Sequence, residues 1–297
     1  MILRIQHRTH FVYDAPAYES HNELRLAPVD GPGQRCLAFG VSTAPASAII
    51  EYADAFGNRV HAVSIHPPHD ALAILAEAVV ERTAAAPPAR TRDVTFAEFL
   101  AEDDARSQEY QEFLTPSRYV PFSDRLRRFF WQARPRPTEG VGEYAARAVA
   151  YVRDQFEYEP GSTDVHSTIE DLLTSGGGVC QDFAHLTIGL LRLAGIPTRY
   201  VSGYLAPVST APGNPPPEQA THAWVEALLP GSTWTGFDPT HRGPTRPEHV
   251  RIGIGRDYAD VPPLRGVYRS HGTTQTMGVD VRIEPLAAWT GGVPGEQ

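Results

Sequence analysis

Residues 176–195 read GGGVCQDFAHLTIGLLRLAG: three glycines, one of only two cysteines, then an apolar run. Phe183, Leu186, Thr187, Leu190, Leu191 and Ala194 recur at the period of one helix face, and Gly195 and Pro197 then stop the pattern. The spacing predicts a helix with Cys180 in its first turn. A helix N-terminus offers free N–H groups and partial positive charge, both of which favour a thiolate. Glycines without Cβ atoms let backbone and substrate approach closely, and the Cys180 N–H can donate to an oxyanion. The same residues also read as a loop followed by a buried small thiol, the ordinary fate of a lone cysteine. A partner base has to decide between the two.

Downstream, HAWVEALL (222–229) and TWTGFDP (233–239) read as strands joined by the turn Pro230-Gly231-Ser232. A turn centred on Pro230 and Gly231 sets His222 opposite position 238 or 240. Because 222 and 238 share parity, His222 and Asp238 share a sheet face. Laid across the N-terminus of the Cys180 helix, the pair completes Cys–His–Asp, with His222 as general base and Asp238 fixing its tautomer. His185 in the helix and His241 beside Asp238 are rival bases, and His166 in its polar stretch reads as solvated. Trp224 and Trp234 have the parity of His222 and read as core packing, with a cleft-wall role behind it.

The 297 residues suffice for one large domain or two, with 41% hydrophobic side chains and a formal charge of −9. All 26 basic residues are arginine, and no broad basic surface is expected, which excludes nucleic acid as a partner. The N-terminus lacks the apolar core of a signal peptide, and no run approaches the ~20 apolar residues of a membrane span. A soluble, cytoplasmic protein without membrane contact is expected. Cys36 and Cys180 lack zinc-ligand spacing and are too few for a disulfide framework. Without clustered Asp/Glu/Asn loops, neither metal nor cofactor is expected.

Odd positions Leu3 to Tyr13 alternate as a strand, and Phe56-Gly57-Asn58 reads as a hairpin turn, so residues 1–85 are expected to be β-rich. The Ala/Pro-rich Ala84–Arg92 reads as a boundary. Phe96–Gln111 and Asp124–Gln132 carry helical spacing, defining a connecting segment over 86–140, and Gly142–Gln155 should be a further helix within a core spanning 141–297. The proline- and glycine-rich Ala206–Gln219 reads as a mobile loop that acts either as a lid or as a linker.

The ordered motifs GGGVCQDFAHL, GIPTRYVSGYL, THAWVEALLP, TWTGFDPTH and GRDYADVPPLRGV resemble those of bacterial transglutaminase-like proteins, within the papain-like superfamily. SHNELRLAP and YADAFGNRVHAVSI resemble the β-rich domain preceding that core. The resemblance implies an α+β fold: a nucleophile helix packed on an antiparallel sheet, preceded by a small β-sandwich. It implies Cys180 as nucleophile, His222 as base and Asp238 as orienting acid, with Tyr158 matched to an aromatic that helps hold the oxyanion. Gln181 and Asp182 then belong to packing or hydrogen bonds beside the nucleophile; Arg256, Asp257 and Tyr258, in a Pro/Gly-flanked loop, read as a polar cluster with a structural ion pair and a cleft-lining role behind it. The implied activity is acyl transfer or hydrolysis at a carboxamide of a peptide or protein substrate, with water or an amine as acceptor. A non-catalytic peptide-binding module on the same fold is the alternative.

Overall fold

The computed structural model describes residues 1–83, 94–101, 108–207, 221–272 and 274–292. The expected boundary at Ala84–Arg92 and residues 208–219 of the expected loop lie outside them.

Five strands come first: β1 (Ile2–Leu24), β2 (Gln34–Ala44), β3 (Ile49–Ala53), β4 (Arg59–Ile65) and β5 (His69–Arg82). Leu3, Ile5, His7, Thr9, Phe11 and Tyr13 are all buried, as the alternation requires. β1 is 23 residues long and takes different neighbours along its length. Its first half pairs with β5 and its second with β4, and register shifts between Val12 and Ala17 and between Tyr18 and His21 mark the change. β2 adds outside β5 and β3 outside β4, all antiparallel. Phe56-Gly57-Asn58 forms the β3–β4 turn, where Asp54 Oδ1 accepts the N–H groups of Phe56 and Asn58, each at 3.0 Å. Side chains from both halves of β1 share one apolar cluster, giving the expected β-rich unit.

The second unit carries helices α1 (Phe96–Ala101), α2 (Asp124–Ala133), α3 (Val141–Gln155), α4 (Ile169–Ser175) and α5 (Cys180–Leu193). A two-strand parallel pair, β6 (Glu157–Tyr158) and β7 (Gly177–Gly178), precedes an antiparallel sheet of β8 (Thr198–Leu205), β9 (Thr221–Leu229), β10 (Thr233–Asp238), β11 (Gly243–Pro244) and β12 (His249–Gly255). The sheet order is β11-β10-β9-β8-β12. α5 is more deeply placed than a one-faced pattern requires: every residue from Gln181 to Arg192 is buried. Phe183, Leu186, Leu190 and Leu191 join Ala145, Ala148 and Val152 of α3 and Ala223, Val225 and Ala227 of β9 in one core. The guanidinium of Arg192, buried with them, donates to the carbonyls of Thr198, Thr115 and Arg256 at 2.7–3.0 Å, so its charge is satisfied.

The C-terminal strands depart from the expected division. β13 (Leu264–Ser270) and β14 (Gln275–Leu286) leave the expected 141–297 core and pair with β1, β14 along Ile2–Tyr13 and β13 along Ala17–Leu24. They cover a strand edge that would otherwise present a row of unpaired N–H and C=O groups. The two units also share a core: Tyr204, Ala206, Val250 and Ile252 pack among Leu3, Ile5, Leu72 and Ile74. Polar contacts register them. His7 Nδ1 lies 3.0 Å from the Tyr204 hydroxyl, and the Asn58 side chain donates to Ile254 O and accepts from Ile254 N, both at 2.8 Å. Among the described residues no helix is long and apolar enough to cross a membrane.

Candidate active site

Gly176 ends α4, and Gly177 and Gly178 then run beside Glu157 and Tyr158 into the start of α5. A Cβ on Gly178 would lie 2.9 Å from both Leu172 and the Asp182 carboxylate. Gly178 therefore makes room for protein neighbours and a Cβ on Gly177 would meet the Glu159 carboxylate, while Gly176, at φ +83°, takes the left-handed conformation that ends α4. Asp182 closes the first turn: its Oδ2 accepts the Val179 N–H at 2.8 Å and the Thr163 hydroxyl at 2.6 Å. Burial pushes its carboxyl upward, against these bonds. Gln181 Nε2 donates to Val165 O at 3.4 Å, so both residues after Cys180 tether the 159–168 segment.

The β9–β10 register pairs Thr233 with Leu229 and Phe237 with Val225. Continued one step, it sets Asp238 opposite Trp224 and diagonal to His222. The parity argument holds, and His222 Nε2 donates to Asp238 Oδ2 at 2.8 Å. The Cys180 thiol lies near enough to the His222 ring to raise its basicity. Burial disfavours the ring's charged form, but the bond to Asp238 and the nearby Cys180 outweigh burial and push the imidazole up to about 10. Asp238 is 1% exposed. Burial opposes its charge, yet hydrogen bonds from His222, His241 and His249 hold it far below the usual carboxylate range.

Asp238 is the hub of the site. Its Oδ2 faces His222 Nε2 and His241 Nδ1 at 2.8 Å and His249 Nε2 at 2.9 Å, while Oδ1 accepts the N–H groups of Thr240 at 2.8 Å and His241 at 3.3 Å. His241 is thus a partner of Asp238. Nothing in the sequence singles out His249, which starts β12 and reaches Asp238 only because β12 lies beside β8. Its Nδ1 accepts the Arg246 N–H at 3.1 Å, which places its proton on Nε2, facing Asp238. Gly203, paired with His222, has no side chain because the Trp224 ring occupies that space, and Trp224 meets the His249 ring edge-on at 5.2 Å.

His185 is fully buried, stacked on Tyr119 at 5.3 Å, and its Nε2 accepts the Tyr258 N–H at 3.1 Å. Burial, partly offset by Asp257, lowers it to about 4, so it packs the core as a neutral ring. His166 is exposed. Trp224 is buried, and Trp234 stacks under Arg199 at 4.1 Å. Arg256 pairs with Asp260 at 2.9 Å, leaving Asp257 to accept the Tyr119 N–H at 2.8 Å. Tyr158 is 40% exposed, on the strand beside Gly178, with its ring 6.2 Å from Phe183.

A helix opening on a cysteine, packed on an antiparallel sheet whose neighbouring strands carry histidine and aspartate, is the layout of transglutaminase-like folds. The chain belongs to the bacterial transglutaminase-like family: the bacterial transglutaminase-like N-terminal region matches residues 3–81 and the transglutaminase-like superfamily core matches residues 132–239. An uncharacterized protein of Mycobacterium leprae is 37% identical over 96% of this chain and 99% of its own length. A protein-glutamine gamma-glutamyltransferase of Pseudomonas aeruginosa is 31% identical over 37% of this chain and 17% of its own. Among solved structures, a candidate cysteine protease from Cytophaga hutchinsonii superposes with a TM-score of 0.77 at 24% identity, covering 99% of this chain and 93% of that one. That likeness is one of fold.

Proposed function

We propose that the protein is a cysteine enzyme acting on a carboxamide, with Cys180 as nucleophile, His222 as acid–base and Asp238 as its orienting acid. The observation that carries this is the His222 ring, bonded to Asp238 Oδ2 at 2.8 Å and close to the Cys180 thiol at the start of α5. The Cys180 thiolate attacks the carbonyl carbon, and the resulting oxyanion takes the Cys180 N–H and the Tyr158 hydroxyl as donors. His222 gives its proton to the departing nitrogen as the C–N bond breaks, leaving a thioester. Water or an amine then attacks the thioester, its proton returns to His222, and the thiolate is released.

Alkylation by iodoacetamide at neutral pH tests the nucleophile. Cys36 is the internal control: burial raises its thiol, and it donates to Ala38 O at 3.5 Å. Cys180 is expected to label at least roughly tenfold faster than Cys36. Equal, slow labelling would support the non-catalytic peptide-binding reading. Incubating a glutamine peptide with and without a labelled amine, against Cys180→Ala, then assigns the acceptor.

A further inference from the structure

We propose that His222, Asp238 and His241 form a binding site for a first-row divalent transition metal of the zinc class, and that occupancy switches the active site off. The switching rests on the function proposed above; the binding does not.

Asp238 is offered more donors than it can accept. A carboxylate has about four lone-pair sites, yet five nitrogens converge on this one, three of them imidazole nitrogens within 2.9 Å of Oδ2 alone. Two of those imidazoles are disposed as ligands: His222 Nε2, His241 Nδ1 and Asp238 Oδ2 all lie within 4.8 Å of one another. Tetrahedral ligands about 2.0–2.1 Å from a metal sit about 3.3–3.4 Å apart. The 2.8 Å hydrogen bonds from His222 and His241 to Oδ2 therefore hold both nitrogens within about 0.5 Å of that spacing from the oxygen, and the ion enters by replacing them. Two imidazoles and a carboxylate suit zinc and its neighbours.

The third imidazole has a different task. The Arg246 N–H occupies His249 Nδ1, so His249 keeps its proton on Nε2 and donates to Asp238. Such a bond fixes a metal-bound carboxylate in place. Access is from the His241 side, whose side chain is 53% exposed while that of Asp238 is 1%. Coordination replaces the N–H hydrogen on His222 Nε2 and leaves the ring's remaining proton on Nδ1. Because Nε2 faces Asp238, the nitrogen turned to Cys180 is Nδ1, and a metal-capped ring can release its Nδ1 proton only as an imidazolate, a far weaker acid than the imidazolium that protonates the departing nitrogen.

The experiment titrates chelator-treated full-length protein with zinc chloride in competition with a chromophoric chelator, a readout that needs no substrate. One zinc per chain is expected, retained in Cys180→Ala and weakened about 100-fold or more in His241→Ala. His241 is half exposed, and circular dichroism checks that its variant is folded. No stoichiometric zinc, loss of zinc with Cys180→Ala, or equal affinity in His241→Ala would each overturn the site. In turnover assays zinc should inhibit the unmodified enzyme, and whatever activity His241→Ala retains should no longer respond to zinc. Binding with this pattern in a protein that does not label at Cys180 would remove the proposed function and leave the metal site standing.

Discussion

Asp238 stays ionised at 1% exposure because N–H groups surround it, and the orientation of His222 depends on that charge. Asp238→Asn keeps the shape but turns an NH₂ or a neutral oxygen toward three imidazoles, so His222 loses the acceptor that fixes its tautomer. Turnover should fall by roughly 10³- to 10⁴-fold with the far-ultraviolet spectrum unchanged; a loss under about tenfold would show that the carboxylate is not needed. The reach of sequence reasoning divides at this residue. His222 and Asp238 flank one short turn, so strand parity alone sets them on one face. His249 arrives from a strand that borders β8, and sheet order is not written in local periodicity.

At the scale of the element, α5 begins where Gly178 lets Leu172 and Asp182 close against the backbone. Gly178→Ala would force a Cβ into contacts of 2.9 Å and shift the turn that carries Cys180. A cost of about 1–3 kcal/mol is expected in chemical denaturation, together with slower Cys180 alkylation. The helix and its stop were legible from the recurrence of Phe183, Leu186, Leu190 and Leu191. Its burial on all sides was not, because small residues such as Ala184 and Gly189 make the other faces look neutral. Those faces are closed by α2, α3 and the sheet, whose distances along the chain carry no local signature. The location of the glycines was legible and their individual tasks were not: Gly176 supplies a left-handed turn, and at Gly178 an absent Cβ reads alike whether a ligand or Leu172 fills the space.

For the whole molecule, the joint between the β-rich unit and the core holds a titratable group. Burial lowers His7, beside Tyr204, from 6.5 to about 4. With its folded value depressed, the unfolded chain binds the extra proton between these limits. Stability is therefore full above pH 6.5 and declines as pH falls toward 4, by on the order of 3 kcal/mol. Buried His185, also near 4, adds to the same window. Urea midpoints at pH 7.5 and 4.5 should differ accordingly, and His7→Gln should flatten that difference; an unchanged slope would count against the role of His7. The β-rich unit was legible from alternation and one hairpin turn, but its last two strands were not, because nothing near residues 264–286 names β1 as their partner.

That pairing bears on how the protein is made. β1 is synthesised well before β14, which covers its edge along Ile2–Tyr13. At about 5–20 residues per second the interval is on the order of tens of seconds. Through that interval β1 waits with one side open, and the sheet beneath β8 and β12 is complete only when β13 and β14 arrive. A nascent chain stopped short of Gln275 would carry Cys180, His222 and Asp238 yet keep that edge bare. Closing of the β1 edge thus follows the synthesis of residues 275–286.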